Sequence, residues 1–134
     1  MIDHLGLNVR NLAAAKSYYD IMMPSLGYES FFATDEQFSY RPAGEKPGTA
    51  VFFYAAPLES EYVRKHAGLE HLAFRARTRS QVDEAHAKAL EVGSPILFSP
   101  RLFPKYHEHY YATFWFDPQG FLLEIVCHKP AVTI

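Results

Sequence analysis

The sequence predicts an α+β protein made of two βαβββ modules, covering about residues 1–67 and 68–134. Three observations lead there. Ile2-Asp3-His4-Leu5-Gly6-Leu7 aligns with Leu69-Glu70-His71-Leu72-Ala73-Phe74 at a shift of 67, half the chain, and both stretches alternate as strands do. A helix-period segment follows each, and glycines 66 residues apart, Gly27 and Gly93, end them. Short strand-like runs complete each half. Neither half can cover both faces of its own sheet, so the two are expected to form a single domain over 1–134.

Each element has its local reason. After the first strand, Asn11 can cap a helix whose stripe is Leu12, Ala15, Tyr18 or Tyr19, and Met22, with Pro24 and Gly27 closing it. Strands are expected at Tyr28–Ala33, Gln37–Arg41 and Thr49–Ala56, with a Pro- and Gly-containing loop at 42–47. In the second half Thr78 and Gln81 predict a capping box ahead of the stripe Val82, Ala85 and Ala89. Strands follow at Pro95–Phe98, His109–Phe116 and Phe121–His128, the last two joined by the turn Asp117-Pro118-Gln119-Gly120.

Composition narrows the function classes. The chain is 49% hydrophobic and 21% charged, as soluble globular proteins are, and carries a net charge of −2 with a pI near 6.4. Without a basic run, no nucleic-acid or membrane partner is expected. No stretch reaches the roughly 20 apolar residues a membrane span requires, and the first residues lack the pattern of a secretory signal. The lone Cys127 has no internal disulfide partner. Together these predict a cytoplasmic protein. Aromatic residues make up 16% of the chain, many of them between Phe103 and Phe121.

The two matched histidines carry the chemistry. His4 shares a strand face with Gly6 and Asn8, and His71 shares one with Ala73 and Arg75, while leucine, valine and phenylalanine fill the opposite faces. The small residue two places on from each leaves space beside the imidazole. A single such histidine is usually a core residue bonded to a carbonyl; a matched pair beside glycine and alanine is less readily explained so. In a duplicated fold, equivalent residues lie symmetrically about a pseudo-two-fold axis, so two imidazoles near it would converge. Imidazole suits Zn, Fe, Ni and Cu. Glu124, within Phe121-Leu122-Leu123-Glu124-Ile125-Val126-Cys127, offers a carboxylate where an unpaired charge is costly; an edge position or a salt bridge is the plainer account. His4, His71 and Glu124 thus make a candidate metal triad with open positions for water or a chelating substrate.

The paired modules, the Ile2–Leu7 and Glu70–Phe74 stretches, and the Asp117–Gly120 turn with Glu124 four residues on resemble the vicinal oxygen chelate superfamily. That group includes glyoxalase I, bleomycin-resistance proteins, fosfomycin-resistance enzymes and extradiol dioxygenases. The resemblance spans essentially the whole chain. It implies a cupped, partly open eight-stranded sheet around a cleft, and a divalent metal (Fe, Mn, Zn or Ni) bound by neighbouring oxygens of a small-molecule substrate. It also implies lyase, isomerase or dioxygenase chemistry and a homodimer. Glyoxalase I carries a fourth ligand on the last strand of its first module, where this chain places Phe53, so a true four-ligand glyoxalase I is disfavoured. The extradiol signature resembles the stretch from His107 to Glu124 and implies a catalytic role for both, although its tyrosine falls at Phe114. The alternative within the family is a metal-free small-molecule binder of the bleomycin-resistance type.

A rim of cations, imidazoles and phenols lies between Ser99 and Tyr111, read as a long loop of the kind that is often functional. Arg75, Arg101, Tyr106, His109 and Tyr111 are candidate substrate-binding residues. Arg75 can anchor an anion or be an ordinary surface arginine. His107 and His109, two apart, would share a strand face; they can extend the metal site, act as acid and base, or sit at the rim. His66, His86 and His128 have no particular claim.

Overall fold

The computed structural model describes residues 1–132. They form two compact units, Met1–Glu61 and one beginning at Tyr62. The first runs β1 (His4–Val9), α1 (Leu12–Met22), β2 (Tyr28–Ala33), β3 (Gln37–Pro42) and β4 (Ala50–Ala55); the second runs β5 (Leu72–Arg75), α2 (Arg79–Glu91), β6 (Ile96–Leu102), β7 (Tyr111–Phe116) and β8 (Leu122–Cys127). The two βαβββ modules are therefore present, with the eight strands divided into sheets of four. Strand order is β1-β4-β3-β2 in one sheet and β5-β8-β7-β6 in the other, so each module pairs its first and last strands in parallel at the same place.

Local chemistry accounts for the helices. Asn11 Oδ1 accepts the Ala14 N–H at 2.9 Å, and α1 buries Ala15, Tyr18, Tyr19 and Met22. Tyr18 and Tyr19 are both buried, so the stripe is wider than one tyrosine. At α2, Thr78 Oγ1 accepts the Gln81 N–H at 3.1 Å, but the Gln81 side chain bonds the Arg77 N–H at 2.9 Å instead of that of Thr78. The expected box is thus displaced by one residue, with Gln81 closing over the amide before the cap. Gly27 and Gly93 end the helical segments at φ of 83° and 77°, a conformation that costs glycine little. Thr78→Ala is expected to lower stability by about 1 kcal/mol, a fall of roughly 3–5 °C in the thermal unfolding midpoint.

Alternation then sorts the faces. Leu7 and Val9 are buried while His4, Gly6 and Asn8 are exposed. In the second module Leu123, Ile125 and Cys127 lie on one face of β8, and α2 lies against β6, β7 and β8. The other face of β8 joins a cluster of Phe103, Ala112, Phe114, Leu122 and Val126. The connector from Tyr62 packs with the second unit: the Tyr62 hydroxyl donates to the Leu69 carbonyl, and its ring meets Phe121 edge-on at 4.6 Å.

Three expectations change. β6 extends through Leu102, so the first four residues of the presumed loop, 99–102, are strand, with register shifts on either side of Phe98. Residues 103–110 form a tight connection closed by Phe103 N–H to Tyr110 O at 2.8 Å. His107 and His109 therefore sit in a turn and share no strand face.

Candidate functional site

In the second module the register brings His71 and Glu124 together. β5 and β8 are parallel neighbours with Ala73 opposite Glu124, and His71 immediately precedes β5. His71 Nε2 lies 3.3 Å from Glu124 Oε1, while His71 Nδ1 meets Glu70 Oε1 at 2.8 Å. Glu70 is held in turn by Arg64. The far oxygen of Glu124, Oε2, accepts the Tyr110 hydroxyl at 2.5 Å. Arg64, Glu70, His71, Glu124 and Tyr110 thus form one continuous polar chain.

Glu124 is 1% exposed, in a strand buried along its whole length. The turn before β8 fixes its position: Asp117 Oδ1 accepts the Phe121 N–H at 2.8 Å, and the Gly120 N–H returns to the Asp117 carbonyl at 3.1 Å. Burial pushes the Glu124 carboxyl up from its ordinary range, and the Tyr110 hydroxyl and His71 partly offset this. Glu70 moves the other way, lowered chiefly by its hydrogen bond to His71. Burial and the Glu124 carboxylate raise the Tyr110 phenol well above its usual value, so at neutral pH it donates.

A carboxylate at Nδ1 favours the tautomer whose proton sits there and leaves the Nε2 lone pair for a ligand. That lone pair faces a carboxylate oxygen, and two acceptors so placed call for a proton or a cation between them. The donor set, one imidazole and one carboxylate each with its own supporting partner, suits a divalent metal. Among the described residues no group of three or more His, Cys, Asp or Glu is arranged to hold an ion.

The first module repeats half of this pattern. His4 Nδ1 meets Asp3 Oδ2 at 2.7 Å, and Asp3 occupies the repeat position of Glu70. His4 lines a cleft of about 560 Å³ with Phe31, Arg41 and Phe52, its ring 5.3 Å from that of Phe52. The space predicted beside it is filled, because a Cβ on Gly6 would lie 3.1 Å from the Tyr54 ring. Register also moves the missing-ligand position. Gly6, equivalent to Ala73, lies opposite Phe52, so Phe52 corresponds to Glu124, and Phe53 belongs to the core with no exposure. Both are phenylalanine, so the absence of a carboxylate there stands.

Of the expected rim, Arg101 and Tyr106 line a cleft of about 370 Å³ together with His71 and Glu124. Arg101 lies over Phe98 and Phe103 at 4.6 and 4.5 Å. Tyr111 points elsewhere: its hydroxyl donates to Asp83 of α2 at 2.7 Å, and burial and Asp83 push it up to about 12. His107 Nε2 pairs with His128 Nδ1 at 2.8 Å, their rings 5.1 Å apart. Burial, then Arg75 and His107, hold His128 below its ordinary value. His109 gives its backbone N–H to His107 Nδ1 at 3.1 Å, and its own Nε2 lies 3.5 Å from Glu108.

Sequence reasoning missed Glu70, Tyr110 and His128. The first had a visible signal, since an acidic residue precedes each matched histidine. Tyr110, four residues before the position 114 where the resemblance puts a hydroxyl, supplies one to Glu124.

Comparison with known proteins agrees. Residues 1–125 match the model of the Glyoxalase/Bleomycin resistance protein/Dioxygenase superfamily. The chain is 29% identical over 124 residues to the uncharacterized protein YqjT of Bacillus subtilis (strain 168), covering 92% of this chain and 95% of that one. A crystal structure from Bacillus halodurans, provisionally described as a glyoxalase, superposes with a TM-score of 0.80 at 32% identity, covering 95% of each chain. A glyoxalase/bleomycin resistance protein from Albidiferax ferrireducens T118 shares the fold at a TM-score of 0.76 and 20% identity, over 97% of this chain and 99% of that one. With the duplicated βαβββ topology and a family match over nearly its full length, the chain belongs to the glyoxalase/bleomycin resistance protein/dioxygenase superfamily.

Proposed function

We propose that the protein is a metal-dependent enzyme of this superfamily acting on a small oxygenated substrate. His4, His71 and Glu124 would hold a divalent ion, Fe, Mn, Zn or Ni. The observation that carries the reading is the buried Glu124 carboxylate facing His71 Nε2 while Glu70 occupies Nδ1. The same acid–histidine pairing at Asp3 and His4 supports the first module's share. With phenylalanine at both 52 and 53, a four-ligand glyoxalase I is not the reading.

When bound, the ion supplies a Lewis acid for negative charge developing on two adjacent substrate oxygens. The chain's own groups do the rest. Glu70 and Asp3 fix the orientation and tautomer of their histidines. Tyr110 donates to Glu124 Oε2 and holds the carboxylate in place. Arg101 and Tyr106 bind substrate at the cleft wall. His107, whose Nδ1 accepts the His109 N–H, carries its proton on Nε2 toward His128 Nδ1, so its catalytic role is that of a proton donor and not of a base. The reading carries with it a homodimer in the cytoplasm.

Metal analysis of protein purified without chelator tests this. About one ion per chain is expected, retained weakly or not at all by His4→Ala, His71→Ala and Glu124→Ala. Glu70→Ala, which removes only the orienting partner, is expected to weaken binding about 10–100-fold. A wild type that arrives empty and refuses Fe, Mn, Zn and Ni would overturn the reading in favour of a metal-free binder.

A further inference from the structure

We propose that the second-module cleft takes an aromatic carboxylic acid as its substrate, the carboxylate held by Arg101 and Lys105 and the ring by Phe98 and Tyr106. This names the substrate class of the cleft assigned above and rests on that reading only for the cleft's being the substrate site.

Charge balance comes first. Three cations, Arg64, Arg101 and Lys105, and two carboxylates, Glu70 and Glu124, line the cleft. Arg64 is engaged with Glu70, and Glu124 with Tyr110 and His71. Among the described residues Arg101 and Lys105 pair with no carboxylate; their contacts are with rings, Lys105 lying 5.1 Å from the centre of Tyr106. The lining therefore carries a net charge of +1, with its two cations that lack a direct carboxylate partner, Arg101 and Lys105, in a concave setting that concentrates their field. A guanidinium stacked on two rings keeps its in-plane N–H donors for a ligand and loses less freedom when one arrives. Its fork matches a carboxylate.

The wall sets the other half of the ligand. Phe98 is 37% and Tyr106 55% exposed, whereas Phe103 and Phe114 behind them are buried. Phe98 meets both of those rings edge-on, at 5.6 and 5.7 Å, which fixes its plane, and Tyr106 lies nearly parallel to Phe103 at 6.1 Å. Two exposed rings held by buried ones favour a flat apolar partner, since offset and edge-on ring pairs gain beyond area alone. A volume of about 370 Å³ is near the lower end for ligand pockets and suits a single ring with a short side chain.

Calorimetric titration of the full chain, both as purified and after chelator treatment, tests the inference with three probes. These are 3-phenylpropanoate, its neutral amide 3-phenylpropanamide, and 3-cyclohexylpropanoate. In both preparations the phenyl acid is expected to bind about tenfold tighter than the amide and measurably tighter than the cyclohexyl acid. Arg101→Gln with Lys105→Gln should abolish the preference for acid over amide; Phe98→Leu should remove the preference for the phenyl ring. Equal affinity for acid and amide in the wild type, no binding of any probe, or a preference that survives the double substitution would overturn it. The wild-type comparison decides even where a variant does not fold. Since the chelated arm contains no metal, a chain that takes up metal and ignores these probes loses this inference alone, and one that binds the acid but no metal loses only the metal reading.

Discussion

Replacing Phe53 with glutamate is expected to abolish cooperative folding, while Phe52→Glu, one residue earlier, should leave the fold intact. Phe53 has no exposed surface; its ring stacks on Phe38 at 4.9 Å and lies 4.4 Å from Tyr19 of α1. Truncating such a ring costs about 3–5 kcal/mol, and burying an unpaired carboxylate in its place costs several more. Together these reach the roughly 5–15 kcal/mol that holds a whole domain folded. Phe52 points to the other face of β4, half-buried beside His4 and opposite Gly6. A carboxylate there stays hydrated, and a loss of about 1 kcal/mol is expected, an ordinary value for a substitution outside the core. Circular dichroism melts of the two variants give the answer. A stable Phe53→Glu beside an unfolded Phe52→Glu would mean that the strand's faces are exchanged, and with them the correspondence between Phe52 and Glu124.

That pair of residues also shows where sequence reasoning stops. Caps and terminating glycines are local signals, each written within one turn, and their recurrence half a chain apart leads directly to the two βαβββ modules. Face assignment for His4 and His71 followed from alternation alone. Register does not follow so easily, because a slip of one residue exchanges the faces; counting along β4 without its partner placed the Glu124 equivalent at Phe53 when pairing with Gly6 puts it at Phe52. The rim fails for a similar reason. Tyr111 and Tyr110 are adjacent phenols in one run, yet one reaches Asp83 on the helix side and the other Glu124 in the cleft. Only the start of β7 at Tyr111 and the turn before it decide which goes where. His128 pairs with His107 across 21 residues, a contact that local patterning does not encode.

Glu124→Gln is expected to move stability and metal binding in opposite directions. In the wild type a buried carboxylate oxygen faces His71 Nε2 at 3.3 Å, and its charge is disfavoured by burial. Glutamine keeps the shape. Its oxygen can still accept from Tyr110, and its amide N–H can donate to the Nε2 lone pair, so both partners remain satisfied without a buried charge. Without metal the variant should therefore be more stable by about 0.5–2 kcal/mol, the range typical of a single stabilising substitution. An anionic ligand has been lost, however, and a neutral amide oxygen is a poor substitute at a divalent ion. Metal at 100 times its dissociation constant stabilises the wild type by about 2.7 kcal/mol through mass action, and the variant by little. The order of the two thermal midpoints should then invert on adding metal, with the variant ahead in chelator and the wild type ahead in excess metal. If the wild type leads in chelator as well, the carboxylate is held by its partners more firmly than its burial opposes it. Glu124 is then a structural ion-pair residue, and the case for a metal ligand at that position falls.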